Sequence, residues 1–334
     1  MNTRRNFLRQ SMLTGWGLVF LGADRMLAKT TTNTMNQQFD VIIIGGSYAG
    51  LAAGMALGRA LRRVLIIDAG EPCNRQTPYS HNFLTQDGLP PLEIAHSARE
   101  QLKLYQTVQL TDDFVSEAVR TEAGFRLYTR AGRPYEAKKL VFASGIRDLL
   151  PSIPGFDACW GISVLHCPYC NGYEVRNQKT GILASGDAAF EIASLISNWT
   201  LDLTIYSNGP AFLQPAQRSR LLDHNIGIVE TRLARLVHRE GRLDQLSFDD
   251  GTTVPLNVLY ARVPFEQHSK LPQVLGCEIT SEGFLKVDAQ QRTNIRGIYA
   301  AGDNVTRMRT VANAVAMGTA AGMMVNKELI EESF

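Results

Sequence analysis

An apolar strand that breaks into a glycine turn, followed by a helix and a second strand, constrains this chain more than any other feature. The strand and turn occupy 40–50, an Ala/Leu-rich helix is predicted to residue 60, and the second strand, 64–67, ends at Asp68. This is the layout of a Rossmann dinucleotide site, where a helix N-terminus receives the pyrophosphate and the acid accepts ribose hydroxyls. The acid favours FAD or NAD over NADP. The middle glycine is Ser47 here, and a plain α/β turn is the alternative.

A second unit of the same kind is predicted at 179–199, but its phosphate loop is degraded. The first glycine position is Ala184, and the second is Gly186. The following strand, 203–206, ends in Ser-Asn-Gly-Pro at 207–210, which offers neither an acid for a ribose nor arginines for a 2′-phosphate. The pattern therefore predicts a second Rossmann-like domain but makes nicotinamide binding doubtful.

A third glycine-containing segment lies late in the chain. Residues 294–303 form a predicted apolar strand that ends in Gly302-Asp303, and a small-residue helix is predicted from Val311 to Val325. Such a strand can place a carboxylate on the ribityl chain of a flavin. The helix N-terminus would then lie near the flavin ring, where the positive end of the helix dipole favours a reduced, anionic flavin. An ordinary strand and core helix are the alternative.

Cys167 and Cys170 form a Cys-Pro-Tyr-Cys motif, preceded by His166 and followed by Asn171. Two cysteines at this spacing can form a disulfide when the first lies at a helix start, where the dipole lowers its thiol pKa. A zinc half-site and a structural disulfide are the alternatives. No second cysteine pair supplies the missing zinc ligands, so no metal site is expected, and a dithiol beside a flavin favours redox activity.

The first residues resemble a targeting segment. Arg4 and Arg5 precede a mildly apolar run, 12–22, in the pattern of twin-arginine export signals. The run would form a helix of about 18 Å, shorter than a hydrocarbon core of about 30 Å, so no stable membrane span is expected. The sequence therefore predicts export to the periplasm or another extracytoplasmic space. Cleavage near Ala28 and an uncleaved anchor are both compatible with this pattern.

Charge and cysteine content exclude two further classes. The 334 residues carry a formal net charge of only +2, and the basic excess lies in the amino-terminal segment. A nucleic-acid-binding protein would be more basic. The five cysteines are too few for a disulfide scaffold in a chain of this length.

The order of these parts resembles the low-molecular-weight thioredoxin reductase family over about residues 38–328. The first glycine loop, an Ala-Ser-Gly crossover at 143–145, the cysteine pair, the second loop and Gly302-Asp303 follow one another as in that family. The stretches 80–88 and 166–174 resemble its branch of dithiol oxidases that close disulfides in gliotoxin-type natural products. The resemblance implies an α/β fold with two Rossmann-like FAD/NAD(P)-binding domains, the second inserted into the first, and a homodimer.

The resemblance also implies domain limits and residue roles. Cys170 would lie nearest the flavin and form the charge-transfer thiolate, while Cys167 would be the exchange thiol that meets the substrate. The implied limits are a signal peptide at 1–28, a linker at 29–38, the FAD-binding domain at 39–151 and 284–330, and an inserted NAD(P)-like domain at 152–283. The implied FAD-contacting residues are Gly45, Gly46, Ser47, Tyr48, Ala49, Gly50, Asp68, Asn82, Gly145, Gly302, Asp303, Arg309, Thr310 and Val311.

Three departures from the family shape the functional prediction. Thioredoxin reductases have an aspartate proton donor after the second cysteine, whereas Asn171 cannot titrate, so His166 and His81 are the candidate acid/base residues. The basic pair that binds NADPH is replaced by 207–209, and Ala184 would crowd a pyrophosphate. FAD is therefore the expected cofactor, and NAD(P)H is doubtful.

These features predict a dithiol oxidase. A substrate thiolate would attack Cys167 of the oxidised pair, and a second substrate thiol would resolve the mixed disulfide. Two electrons would pass from Cys170 to FAD and then either to dioxygen, giving hydrogen peroxide, or to another electron carrier. The expected partner is a small-molecule or protein dithiol or disulfide, with no nucleic acid. The alternatives are an NADPH-dependent thioredoxin reductase-like enzyme and a non-catalytic flavin-binding redox sensor.

Overall fold

The computed structural model describes residues 37–334. The predicted signal peptide, 1–28, and the predicted linker up to residue 36 lie outside the described residues. Gln37 and Gln38, also predicted as linker, instead begin the first strand because they pair with Tyr135 and Glu136.

The described chain contains the following elements. The strands are β1 (Gln37–Ile44), β2 (Val64–Asp68), β3 (Val108–Asp112), β4 (Val115–Thr121), β5 (Gly124–Thr129), β6 (Pro134–Phe142), β7 (Ile146–Asp148), β8 (Val164–Leu165), β9 (Thr180–Leu183), β10 (Leu203–Tyr206), β11 (Gly227–Val229), β12 (Leu233–Arg239), β13 (Arg242–Phe248), β14 (Thr253–Pro255), β15 (Val258–Ala261), β16 (Phe265–Gln267) and β17 (Ile298–Ala300). The helices are α1 (Tyr48–Arg59), α2 (Pro91–Leu102), α3 (Phe156–Cys159), α4 (Pro168–Asn171), α5 (Gly186–Ile196), α6 (Pro215–Asp223), α7 (Leu271–Val274) and α8 (Val311–Ser333).

A seven-stranded mixed sheet carries the first glycine loop. Its order is β3-β2-β1-β6-β5-β4, and β17 pairs in parallel with the end of β6. The central strands are continuous apolar runs, as expected for parallel strands covered on both faces. In β2 the residues Val64, Leu65, Ile66 and Ile67 are all buried. Because parallel strands end at one edge, the turn after β1, Asp68 at the end of β2 and the loop after β17 meet at the same edge.

A five-stranded parallel sheet carries the second glycine loop. Its order is β11-β10-β9-β15-β8, and an antiparallel three-stranded sheet, β12-β13-β14, lies between β11 and β15 in the chain. All these strands fall between β6 and β17, so the second sheet is inserted within the chain of the first. The two sheets give the α/β fold with two Rossmann-like domains that the resemblance implies.

The chain leaves the first sheet and returns to it through a short antiparallel pair, β7 and β16. Leu271 and Cys277 lie before the predicted limit at 283, yet they pack in the core of the first sheet. This packing favours a second domain limit near β16. The domain limits themselves stay predictions.

The last helix closes the first domain. Helix α8 was predicted to end at Val325 but continues to Ser333, beyond the predicted domain end at 330. It packs along α1, and its buried small residues Gly318 and Ala321 allow the two helices to approach closely. Within residues 37–334, no helix is both long and apolar enough to cross a membrane.

Candidate active site

A cavity of about 370 Å³ opens at the edge where β1, β2 and β17 end. Its lining brings together residues that are far apart in sequence. The predicted FAD-contacting residues in the lining are Gly45, Gly46, Ser47, Tyr48, Ala49, Asp68, Gly145, Gly302, Asp303, Arg309, Thr310 and Val311. Twelve of the fourteen predicted cofactor residues therefore share one cavity; Gly50 and Asn82 are not among its lining residues.

Gly45 and Gly50 explain why the first turn needs glycine. Gly45 has a φ of +105°, and a Cβ there would overlap the carbonyl oxygen of Ala143. A Cβ at Gly50 would overlap the carbonyl oxygen of Gly45. The absence of a side chain at Gly50 thus lets α1 pack closely onto the turn. The turn places the start of α1 against the cavity, and its N-cap residue, Ser47, makes no side-chain cap bond in the described structure.

Asp68 lies where a ribose-binding acid is expected. Its Oδ1 atom accepts a hydrogen bond of 3.0 Å from the backbone N–H of Gly46, and its Oδ2 atom accepts one from Arg99. A carboxylate has about four acceptor positions, so two remain for ribose hydroxyls. Arg99 was not predicted from the sequence, because no local pattern links it to an acid 31 positions away.

Two polar atoms lining the cavity lack a protein partner. Ser144 Oγ and Arg99 Nε are buried, and neither has a hydrogen-bond partner among the described residues. Buried polar groups are nearly always satisfied, so these atoms indicate that the cavity receives a polar ligand. With an open helix start, a ribose-binding acid and unpaired polar atoms, the residues fit FAD.

Asp303 belongs to a charged cluster at the opposite side of the cavity. Arg309 donates from Nη1 and Nη2 to the two carboxylate oxygens of Asp148, at 2.8 and 2.9 Å, and from Nε to Asp303 at 3.4 Å. Cys73 donates to Asp303 at 3.5 Å. Burial raises the pKa of Asp303, against the opposing charge of Arg309. Asp148 was missed by sequence reasoning, although its place three residues after Gly145 was the available signal.

Cys73 is the one cysteine among the described lining residues of this cavity, which do not include Cys167 or Cys170, and it was also unassigned from sequence. It lines the cavity and keeps an exposed surface. Desolvation of the sulfur by the surrounding atoms and the charge of Asp303 raise the thiol pKa to about 12. Cys73 is therefore protonated at neutral pH and acts as a hydrogen-bond donor to Asp303. Cys159 and Cys277 are buried in the two cores.

Cys167 is the N-cap residue of α4, as predicted for the first cysteine of the pair. Cys170 Sγ donates a hydrogen bond to Cys167 Sγ at 2.7 Å. This bond and the backbone N–H groups of Cys170 and Tyr169 lower the pKa of Cys167. The same bond, burial and the adjacent negative charge raise the pKa of Cys170. In the dithiol form, Cys167 therefore loses its proton more readily than Cys170.

The two candidate acid/base histidines have different surroundings. His166 keeps an exposed surface, yet the atoms around its ring and the charge of Arg309 lower its pKa to about 4. Its ring centroid lies 6.0 Å from that of Trp160. His81 is mostly buried, and its Nδ1 atom lies 3.6 Å from carboxylate oxygens of both Asp87 and Glu174. The assignment of either as acid or base stays a prediction.

His81 and Asn82 lie in a tight turn that reaches the cysteine segment. Asn82 has a φ of +60°, and its backbone N–H bonds to Asp87 at 2.7 Å. Because Glu174 follows Cys170 by four residues, the His81–Glu174 contact connects this turn to the redox motif. Burial and the charges of the two cysteines and Glu174 raise the pKa of Tyr260.

The second glycine loop is closed by the protein itself. The backbone N–H of Gly186 donates to Ala211 O at 2.7 Å. Ser185 Oγ lies within hydrogen-bond distance of the carbonyl oxygens of Pro210 and Ala211, at 3.0 and 2.8 Å. Asp187 lies in the first turn of α5. The carbonyl oxygen of Ala211 therefore occupies the first N–H of the helix start that would receive a pyrophosphate.

Comparisons with known proteins agree with this arrangement. Residues 39–318 match the family model described as pyridine nucleotide-disulphide oxidoreductase. The thioredoxin reductase tcpT of Claviceps purpurea is 32% identical over 305 residues, which cover 88% of this chain and 95% of that protein. A putative thioredoxin reductase structure from Bacillus anthracis is 29% identical, with a TM-score of 0.85, covering 89% of this chain and all of that one. An oxidoreductase structure from Agrobacterium tumefaciens is 34% identical, with a TM-score of 0.82, covering 88% and 99%.

Proposed function

We propose that this chain, which belongs to the pyridine nucleotide-disulphide oxidoreductase family, works in the oxidative direction as a dithiol oxidase. It is a thioredoxin reductase-like FAD enzyme that acts on thiol and disulfide groups. The observation that carries the oxidative direction is the closed second glycine loop, where Ala211 O occupies the N–H of Gly186. The motifs at 80–88 and 166–174, which resemble gliotoxin-type dithiol oxidases, support the same direction.

The cysteine pair performs the exchange with substrate. A substrate thiolate attacks Cys167 Sγ of the disulfide, and the bond to Cys170 breaks as the new bond forms. A second thiolate of the same substrate attacks its own sulfur in the mixed disulfide and releases Cys167. The substrate leaves as a disulfide, having lost two electrons and two protons, which the pair has gained. The low pKa of Cys167 makes it a good leaving group in the second exchange.

The surrounding residues retain the proton on the side of Cys170. The hydrogen bond between the two sulfurs stabilises the thiolate of Cys167 and keeps the proton on Cys170. FAD, when bound, supplies the two-electron acceptor that returns the pair to the disulfide, with dioxygen as the proposed final acceptor and hydrogen peroxide as its product. His166 and His81 are proposed to exchange protons between the pair and solvent.

The direction is tested by anaerobic titration of the FAD-loaded protein. Dithiothreitol should bleach the flavin absorbance, whereas NADPH and NADH should leave it nearly unchanged, and admission of air should restore the absorbance with release of hydrogen peroxide. Rapid bleaching by NADPH would instead identify an NADPH-dependent reductase. The Cys167→Ser variant should lose dithiol oxidation; full activity in that variant would contradict the role of Cys167, and a wild-type protein without dithiol oxidation would favour the non-catalytic flavin-binding redox sensor.

Export through the twin-arginine route is a separate proposal, since its motif lies outside the described residues. Replacing Arg4 and Arg5 together by lysine should retain the protein in the cytoplasm, while Arg9→Lys, which likewise keeps the charge of the segment, serves as the control. Fractionation of the cells measures the outcome. Equal amounts of wild-type and double-variant protein outside the cytoplasm would contradict the proposal. The homodimer also stays a prediction, to be measured by light scattering.

A further inference from the structure

One face of α2 forms a wall of the FAD cavity. Its residues Pro91, Leu92, Ala95, His96 and Arg99 all line the cavity, at the spacing of one helical face. The last of these reaches the acid at the end of β2. Helix α2 thus contributes a cationic side chain to the end of the cavity where Asp68 is expected to bind the ribose.

Arg99, Asp68 and Gly46 form a closed group of hydrogen bonds. Arg99 Nη2 donates to Asp68 Oδ2 and also approaches the carbonyl oxygen of Gly46 at 3.4 Å. The N–H of Gly46 donates to the other carboxylate oxygen of Asp68 at 3.0 Å. Each carboxylate oxygen is therefore held by a different donor, which restricts rotation of the carboxylate about its terminal torsion.

This ion pair differs from an ordinary surface pair. The side chains of Asp68 and Arg99 are 16% and 34% exposed, and both line the cavity. Arg99 Nε is buried without a partner among residues 37–334. Because buried donors are normally satisfied, a ligand oxygen or nitrogen at this end of the cavity is a fitting acceptor.

Arg99 offsets the negative charge of Asp68 close to the expected pyrophosphate position. FAD carries negative charge on its pyrophosphate, and the glycine turn that would receive it adjoins Asp68 through Gly46. An unpaired carboxylate at this distance would repel the pyrophosphate, whereas a paired one keeps its acceptor positions without a net local charge. Near Asp303 the arrangement differs, because Arg309 there is shared between Asp303 and Asp148.

We propose that Arg99 is a positioning residue for the adenosine end of the FAD site: it fixes the carboxylate of Asp68 for the ribose hydroxyls and neutralises its charge toward the pyrophosphate. The role concerns cofactor affinity and does not depend on the direction of electron flow. Arg99 acts through Asp68 and is not a catalytic residue.

The test measures binding to the apoprotein by calorimetry with three probes: FAD, ADP, which lacks the flavin, and FMN, which lacks the adenosine. Arg99→Ala should weaken FAD and ADP by about 10- to 100-fold and leave FMN within about 2-fold of wild type. Arg99→Lys should recover part of the loss, because it restores the charge without the planar fork. Lys103→Ala is the matched control, since Lys103 lies at the end of the same helix and pairs with Glu100.

A double-mutant cycle separates positioning from direct contact. If Arg99 acts through Asp68, Arg99→Ala should change FAD affinity by less than about 3-fold in an Asp68→Asn background. An undiminished loss in that background, an equal loss of FMN affinity, or unchanged FAD affinity in Arg99→Ala would overturn the proposal. Melting temperatures of the apoproteins provide the structural readout: a large drop for Arg99→Ala without a selective loss of ADP would also overturn it.

Discussion

The two glycine loops share a strand–turn–helix design and differ in what occupies the helix start. At the first loop α1 begins at the cavity with no side-chain cap and no acidic residue in its first turn. At the second loop α5 begins with Asp187 in its first turn, and its first N–H donates to Ala211 O. The second loop therefore keeps its strand–turn–helix shape although a backbone N–H at the start of its helix is already bonded to a carbonyl oxygen of the same chain.

The electrostatic consequence follows from the helix dipole. An open helix N-terminus carries a partial positive charge and binds anions. A nearby carboxylate and bound carbonyl oxygens satisfy that charge, and an incoming pyrophosphate would have to displace them. Under the proposed function, the second domain carries the cysteine pair and the first domain binds FAD.

The largest expected effect is on FAD affinity, when one methyl group is added to the first loop and, as a control, to the second. Gly45→Ala should lose FAD affinity by about 100-fold or more, because the Cβ overlaps Ala143 O and the residue has a φ of +105°. Gly186→Ala is the matched control: its φ is +62°, but the nearest atom to an added Cβ is Phe212 O at 3.8 Å. The ratio of flavin to protein absorbance after purification measures both. Equal flavin loss in the two variants would remove the contrast between the loops.

Cys167 lies at a third helix start, that of α4. The pH dependence of its reaction with an alkylating agent extends the comparison of helix starts. Because the pKa of Cys167 lies below its ordinary value, alkylation of the reduced protein by iodoacetamide should rise with pH at a lower midpoint than for free cysteine. Cys170→Ala should move the midpoint upward, since it removes the donor whose bond is the largest cause of the lowered pKa. Mass spectrometry of the Cys167 peptide measures the rate at each pH.

Cys73 provides the internal reference for that experiment. Its pKa is raised to about 12, so its alkylation should be slow throughout the neutral range. The two thiols are measured in the same samples, which cancels differences in reagent and temperature. If Cys73 reacts as fast as Cys167 at neutral pH, the charge assignments around Asp303 are wrong.

A smaller effect is expected from the two serines that precede α1 and α5. Ser185→Ala should lower the free energy of unfolding by about 1 kcal/mol, because its hydroxyl bonds to the carbonyls of the closing segment. Ser47→Ala should change stability by less than about 0.5 kcal/mol, since Ser47 makes no side-chain cap bond. Urea unfolding of the apoproteins compares the pair. A larger loss for Ser47 would mean that the first helix start is not open.

Local patterns predicted the parts of the fold that repeat regular rules. The strand predicted at 203–206 coincides with β10, and Cys167 lies at a helix start as expected. The strand predicted at 294–303 is only Ile298–Ala300, because residues 294–297 form a bend and a turn before it and residues 301–303 leave the sheet after it. Short apolar runs set the position of a strand better than its length, since pairing partners decide where it ends.

The missed residues act through partners that are distant in sequence. Asp148 and Arg309 are 161 positions apart, and Arg99 reaches Asp68 across 31. The closure of the second loop was missed for the same reason. The degraded glycine motif was visible in the sequence, but the hydrogen bond from Gly186 to Ala211 forms only when β9 and β10 lie side by side. Such pairs follow from topology, which a local pattern does not encode.

The smallest expected effect tests whether lost arginines alone explain the second site. Ser207→Arg with Asn208→Arg restores two basic residues beside β10, yet NADPH should still fail to bleach the flavin in stopped-flow mixing, because Ala211 O still occupies the N–H of Gly186. The substitution also removes the hydrogen bond from Leu233 N to Asn208 Oδ1, so apoprotein stability is measured alongside. NADH, which lacks the 2′-phosphate, is the control ligand. A bleaching rate that rises about tenfold with NADPH but not with NADH, a change of about 1.4 kcal/mol, would show that charge and not closure separates the two loops.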